Sequence, residues 1–208
     1  MIHSISDIFR QIDSEFTAEK VSIDDLLDAF HERGFGFLLL ILSVPMALPL
    51  PVPPGINILL ASPLILLTAQ QAIGRHTIWL PQWMRKKTIK RDVLSKIIKA
   101  TLPWFERLEK LVKPRIEFVT LGIFSNLIGF LGLIMALAIC VPLPLTNTVP
   151  SLGIALMAVG VITRDGFAVI SGALVGILWI TALSMIIIFL GTEGIDFIKE
   201  AIKGFLLP

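Results

Sequence analysis

Three long stretches without charge set the pattern of this chain. No Asp, Glu, Lys, Arg or His occurs from Phe35 to Gly74, from Phe118 to Thr163, or from Gly166 to Thr192. A helical crossing of a bilayer takes roughly 20 apolar residues, so the first two runs each suit about two passes and the third one tilted span. The flanking stretches are charged and show helical periodicity. Ile5, Ile8, Phe9, Ile12 and Phe16 recur at helical spacing, as do Ile23, Leu26, Leu27 and Phe30. Ser22 with Asp25 three residues on has the pattern of a capping box, so two short amphipathic helices are predicted, the second ended by Gly34 and Gly36. Further on, Val93, Leu94, Ile97 and Ile98 form one apolar stripe. Pro103 opens another helix that carries Trp104, Phe105, Leu108, Leu111 and Val112 on one face. After Glu193, Ile195, Phe197, Ile198, Ile202, Phe205 and Leu206 beside Lys199 and Lys203 predict an interfacial amphipathic tail.

The pattern predicts an all-α, multi-pass helical membrane protein in five parts. Residues 1–34 are amphipathic and cytoplasmic, 35–74 form a first hydrophobic half, 75–117 a basic interfacial segment, 118–192 a second hydrophobic half, and 193–208 the tail.

The first half is broken at its centre by "PLPVPPG". Proline removes a backbone donor, and lipid offers nothing to the freed carbonyl. Pro45, Pro49, Pro51, Pro53 and Pro54, followed by Gly55, therefore mark a break. The arm from Phe35 to Leu48 is about 21 Å long as a helix, short of a hydrocarbon core of about 30 Å, which favours a re-entrant hairpin over two full spans. The device recurs at "PLPLTNTVP", with Pro142, Pro144 and Pro150. The two PLP triplets, Asn57 with Asn147, and Arg75 with Arg164 are 93, 90 and 89 positions apart, which predicts an internal repeat. Ordinary proline-rich loops between full spans are the alternative. Interrupted segments in matching halves point to a site at the repeat interface of a transporter-like fold.

Composition sharpens this picture. Hydrophobic residues make up 55% of the 208, and the mean hydropathy is +0.85. The net charge of +2 conceals an asymmetry: residues 1–34 hold eight acidic and three basic side chains, whereas residues 75–117 hold twelve basic and four acidic ones. The positive-inside rule makes the basic segment cytoplasmic. Set between apolar runs and next to Trp79, Trp83 and Trp104, it suits anionic lipid head groups rather than nucleic acid. Helices lying on the inner leaflet are the preferred arrangement, and a cap docked on the acidic N-terminal helices is the rival. The acidic start lacks the pattern of a cleavable signal peptide. Cys140 is the one cysteine, so neither a disulfide framework nor a Cys/His metal cluster is expected.

The residues nominate no enzyme chemistry. The apolar runs hold no paired carboxylates, no glycine-rich phosphate loop follows a strand, and His3, His31 and His76 are scattered. No cofactor is expected. Arg164 and Asp165 are the only charges between Glu117 and Glu193. They read either as a cytoplasmic turn or as a pair beside the proline-broken seam. Gly172 and Gly176 form a GxxxG pair that packs helices within the chain or, alternatively, a homodimer.

The stretches "RGFGFLLLILSVPMALPLPVPPGINILLASPLILLTAQQAIGR", "WLP", "LPWFERLEKLVKPR" and "VPLPLTNTVPSLGIALMAVGVITRDG", in that order, resemble the ExoD family of bacterial exopolysaccharide-synthesis membrane proteins. The likeness covers residues 30–190 and implies a multi-pass protein of the bacterial inner membrane with a role in exopolysaccharide synthesis or export, without supplying catalytic residues. Within that frame a polar group, such as a lipid-linked saccharide or a lipid head group, would cross or shelter in the seam. Arg75 and Arg164 would meet its phosphate and Asn57 and Asn147 would hydrogen-bond it, with Asp165 the remaining candidate for substrate binding. The competing reading is an accessory scaffold that holds other exopolysaccharide-synthesis proteins at the membrane.

Overall fold

The first two uncharged runs each hold two helices, and the third lies within one longer helix. The computed structural model describes residues 6, 7, 10, 13, 14, 19–25, 34–48, 56–75, 77–141 and 147–206. In chain order the elements are β1 (Lys20–Ser22), α1 (Gly34–Ala47), α2 (Ile56–Ala72), α3 (Gln82–Arg85), β2 (Thr88–Lys90), α4 (Arg91–Leu111), a 3-10 turn at Glu117–Thr120, α5 (Ile123–Ile139), α6 (Thr148–Thr163) and α7 (Gly166–Leu206). Helices carry the fold. Pro49, Pro51, Pro53, Pro54, Gly55, Pro142 and Pro144 lie outside the described residues, as does most of the segment expected to form the first amphipathic helix.

Four helices form a ring. α1 packs along α6 and α2 along α5, α1 and α5 make lesser contacts with α2 and α6 respectively, and α7 lies against α6. Leu64, Leu67, Met135, Ile139 and Ile154 are fully buried at its centre, while Leu59 (72% exposed), Ile123 (72%), Leu178 (68%) and Ile188 (75%) point outward. Helices apolar on every side lack the polar face that a water-soluble bundle presents. Serine and threonine hydroxyls on these helices bond back to their own backbones: Ser62 to Leu59, Thr68 to Leu64, Thr163 to Val159 and Ser171 to Phe167. That arrangement leaves few polar groups to an apolar surrounding. Gly166–Ile186 is the one helical stretch among the described residues long and apolar enough to cross a membrane. Gly191, at φ 52° and ψ −141°, then kinks α7 and separates the apolar span from the tail.

Several expected helix ends fall elsewhere. Gly34 and Gly36 stand in the first turn of α1, and most of the expected helix before them lies outside the described residues. Pro45, expected in the break, lies inside α1, and α2 contains Pro63. Pro63 has no N–H for the Leu59 carbonyl four residues back, and the Ser62 hydroxyl donates to that oxygen instead, at 2.8 Å. Pro150 belongs to the first turn of α6, where a backbone N–H has no intrahelical acceptor, so it fits into the helix rather than breaking it. Pro103 starts no new helix either. α4 runs through it because Leu94, Ile98 and Leu102 pack against the core and hold the apolar face in place across the lost hydrogen bond.

The basic segment docks on the N-terminal part of the chain. β1 pairs antiparallel with β2, with Val21 opposite Ile89, and Val21 is fully buried. Arg85 donates to Asp24 through Nε and Nη2, and Arg10 pairs with Glu106. The expected capping box forms: the Asp25 N–H donates to Ser22 Oγ at 3.1 Å, and the Ser22 N–H donates to Asp25 Oδ2 at 2.9 Å. Gln70 fastens the connection after α2 to the bundle, accepting from the Trp79 N–H at 2.6 Å and donating to the Trp79 carbonyl at 3.0 Å.

Candidate functional site

The start of α1, the end of α2, the start of α5 and the end of α6 meet around one cavity of about 190 Å³. Phe35 represents α1; Gln71, Gly74 and Arg75 represent α2; Ser125 and Asn126 represent α5; Val161 and Arg164 represent α6. Both helix pairs therefore open at the same end of the bundle. The four other ends lie about a helix length away.

Local geometry explains how the two arginines arrive there. α2 ends at Gly74, whose φ of +74° lets the Arg75 N–H reach back to the Gln70 carbonyl at 3.1 Å. α6 ends at Arg164, with φ 55° and ψ 34°, and the Asp165 N–H reaches the Gly160 carbonyl at 2.9 Å. Both are left-handed C-terminal caps with a bond spanning six residues. Glycine accepts that conformation freely; a side chain pays about 1–2 kcal/mol for it. Arg164 thus occupies a glycine position at the cavity wall, and strain of this kind gathers at functional sites.

The cavity wall mixes apolar and polar residues, and its two charged residues are both arginines. Arg75 makes no ion pair among the described residues, whereas Arg164 Nη1 lies 4.0 Å from Glu117 Oε2. The start of α5 has Gly122 as its N-cap, with no side-chain cap bond. The first amides of a helix have no acceptor within it and carry the positive end of its dipole. Gln71 is 3% exposed, and its Oε1 has no hydrogen-bond partner, while its Nε2 donates to Ser125 Oγ at 3.4 Å.

Asp165 does not join this cavity. It is 4% exposed, and both carboxylate oxygens are engaged: Oδ1 accepts from the Phe167 N–H at 2.9 Å, capping α7, and Oδ2 accepts from the Lys113 N–H at 3.1 Å. The Gly166 N–H donates to the Arg115 carbonyl at 2.7 Å, closing the same junction. Asn57 and Asn147 also stand apart from the arginines. Asn57 is in the first turn of α2 and Asn147 is the N-cap of α6, so each lies roughly 26 Å along its helix from Gly74 or Arg164. Each has a buried Oδ1 without a partner. Gln71, Ser125 and Asn126 were missed by the sequence reading. The signal was available, since a glutamine and an asparagine in apolar runs need polar company.

Gly172 and Gly176 are used within the chain. A Cβ on Gly172 would come within 2.5 Å of the Gly153 carbonyl of α6, and one on Gly176 would collide with Met135 of α5.

A family model described as "Exopolysaccharide synthesis, ExoD" matches residues 5–185. The chain is 34% identical over 187 residues to an uncharacterized protein, slr1875, of Synechocystis sp., covering 88% of each. It is 29% identical over 175 residues to Protein ExoD of Rhizobium meliloti, covering 81% of this chain and 71% of that one. No solved structure is a significant match. With the match running from before β1 into the apolar part of α7, the chain belongs to the ExoD family of exopolysaccharide-synthesis proteins.

Proposed function

We propose that this protein is embedded in the bacterial inner membrane, serves exopolysaccharide synthesis or export, and carries or shelters a polar, lipid-linked group in a seam between two copies of one helical hairpin. The observation that supports it most is a matched pair of close approaches. A Cβ on Gly36 would meet Ile162 at 2.7 Å and Val161 at 3.4 Å, and one on Gly129 would meet Ala72 at 2.4 Å and Gln71 at 2.6 Å. Ile162 and Val161 follow Ala72 and Gln71 by 90 positions, as Gly160 and Asp165 follow Gln70 and Arg75. The packing of α1 on α6 therefore repeats as the packing of α5 on α2. This register pairs Arg164 with Gly74 rather than with Arg75.

Because α1 and α5 both start at the cavity, the two copies share one orientation and their axis runs along the bundle. The cavity end adjoins the basic segment and so faces the cytoplasm. α1, α2, α5 and α6 are about 21–26 Å long, short of the roughly 30 Å hydrocarbon core, so both hairpins enter and leave from the cytoplasmic face while α7 crosses fully. A polar head group beside them meets backbone ends and the orphan carbonyls of Asn57 and Asn147 inside the bilayer.

Topology and activity test this together. With Cys140→Ser as background, single cysteines at Leu48, Ile56 and Asn147 should resist an impermeant thiol reagent from the periplasm, and one at Asn126 should react from the cytoplasm. Purified protein in vesicles should speed the exchange of a labelled short-chain lipid between leaflets, and Asn57→Ala with Asn147→Ala should abolish both that exchange and polymer yield in cells. Free labelling of Leu48, Ile56 and Asn147 from the periplasm would replace the hairpins with ordinary spans. A second reading, an accessory subunit, draws on the exposed basic side of α4 at Arg91, Lys96 and Lys99. It gains if the protein is recovered in a stoichiometric complex and is inert in vesicles alone.

A further inference from the structure

The cavity at the cytoplasmic end has the chemistry of an anion site. We propose that it binds a phosphate group, held between Arg75 and Arg164 and the start of α5. The phosphate belongs either to a lipid head group, which rests on the function proposed above, or to free phosphate, which does not.

Four independent features converge. The start of a 17-residue helix lines the cavity through Gly122, Ser125 and Asn126, and a helix N-terminus favours negative charge through its dipole. Arg75 and Arg164 both line this space, and the planar fork of a guanidinium matches phosphate oxygens. Glu117 stands beside Arg164 alone, which leaves the charge of Arg75 uncompensated. Gln71 is buried with one end of its amide unpartnered. Turned over about its last bond, that amide accepts from the Ser125 hydroxyl through Oε1 and presents Nε2 as a donor. At about 30 Å³ per water molecule, 190 Å³ holds roughly six waters, room for a phosphate with part of its hydration.

Arg164 adds the conformational argument. Its left-handed backbone is the one that Gly74 adopts at the matching helix end, and arginine gains nothing there in folding. It lines the same space as Arg75.

The test uses the full chain in nanodiscs of phosphatidylcholine with and without phosphatidic acid, a lipid with a phosphate monoester head group. Native mass spectrometry reads retained phosphatidic acid, and equilibrium dialysis reads labelled inorganic phosphate. Arg75→Gln and Arg164→Gln should each weaken phosphate binding about tenfold, the loss of one charge-assisted hydrogen bond, while Lys96→Gln on exposed α4 should leave it unchanged. Retention of phosphatidic acid that depends on both arginines supports the site and its lipid form. Binding of inorganic phosphate alone, with the same dependence, supports the site and overturns the lipid-linked reading. Equal losses in all three variants, or no binding of either probe, overturn the site.

Discussion

Asp165 Oδ2 accepts the backbone N–H of Lys113 at 3.1 Å, tying the junction of α6 and α7 to the end of the basic segment. The same carboxylate caps α7 through Phe167. Of the two charges in the "TRDG" turn, one is therefore spent on architecture and the other faces the cavity. Asp165→Ala removes a helix cap, worth about 1 kcal/mol, and a charge-assisted hydrogen bond, worth about 1.5–3 kcal/mol, so it should destabilise the protein by roughly 2–4 kcal/mol. Asp165→Asn keeps one carbonyl acceptor and should cost about half as much. Thermal unfolding of the two variants in detergent checks the order. An Asp165→Ala protein of undiminished stability would return this residue to the substrate candidates.

The glycines at the matched crossings should not be equally sensitive. A Cβ on Gly129 would press on backbone atoms of Ala72 and Gln71, within 2.4 Å at the closest, and backbone cannot step aside without separating α5 from α2. On Gly36 the closest atom, at 2.7 Å, belongs to the Ile162 side chain, which can change rotamer, and the Ala158 carbonyl is 3.1 Å away. Overpacking costs about 1–3 kcal/mol, so Gly129→Ala should fall at the upper end and Gly36→Ala at the lower. Unfolding midpoints of the two variants, measured side by side, decide this.

How far the sequence carried this fold depended on whether a local signal had a distant competitor. The uncharged runs marked the helical cores because no charge could be buried there, and Ser22 with Asp25 marked a cap because its hydrogen bonds are local. Pro45 and Pro103 read as a break and a helix start, yet both lie inside helices. At Pro103 the packing of Leu94, Ile98 and Leu102 holds the helix, a compensation that has no fixed sequence form. The pairing of Arg75 with Arg164 followed residue type. The matched helix ends follow backbone conformation, and Gly74 shares that with Arg164 although their side chains have nothing in common. Asn57 and Asn147 were grouped with the arginines because all four flank the same arms, but a helix is a rigid spacer and puts its two ends on different sides of the site.

The capping box gives a pH dependence of known sign. The Ser22 hydroxyl, and then the Ser22 backbone N–H, hold the Asp25 carboxyl below its ordinary value of 3.8. A carboxyl whose folded pKa is depressed contributes stability that is fully present above the unfolded value and is lost as pH falls through the folded one. The cap should therefore be intact at neutral pH and weaken only below about pH 3.8. Carbon NMR of the Asp25 carboxyl should show it titrating later on acidification than in Ser22→Ala, where its pKa should return toward the ordinary value. Coincident titrations in the two proteins would remove the hydroxyl as the cause.

Arg164 offers the sharpest separation of stability from function. Glycine at this position relieves about 1–2 kcal/mol of left-handed backbone strain, but its freer unfolded chain takes back about 0.4–1 kcal/mol, and the exposed pairing with Glu117 is worth at most about 1 kcal/mol. These terms nearly cancel, so Arg164→Gly should unfold within about 1 kcal/mol of the parent. If the side chain serves only to end α6, as Gly74 ends α2, polymer yield in cells should be untouched, since the backbone geometry is kept. If the guanidinium is why the chain tolerates the strain, yield and phosphate binding should fall while the unfolding midpoint stays in place. Arg164→Lys, which keeps charge but loses the planar fork, should recover part of the binding and none of the lost conformational freedom. The combination expected is a stable, well-folded Arg164→Gly protein that no longer supports exopolysaccharide production, and normal production by that variant would leave Arg164 as a helix terminator alone.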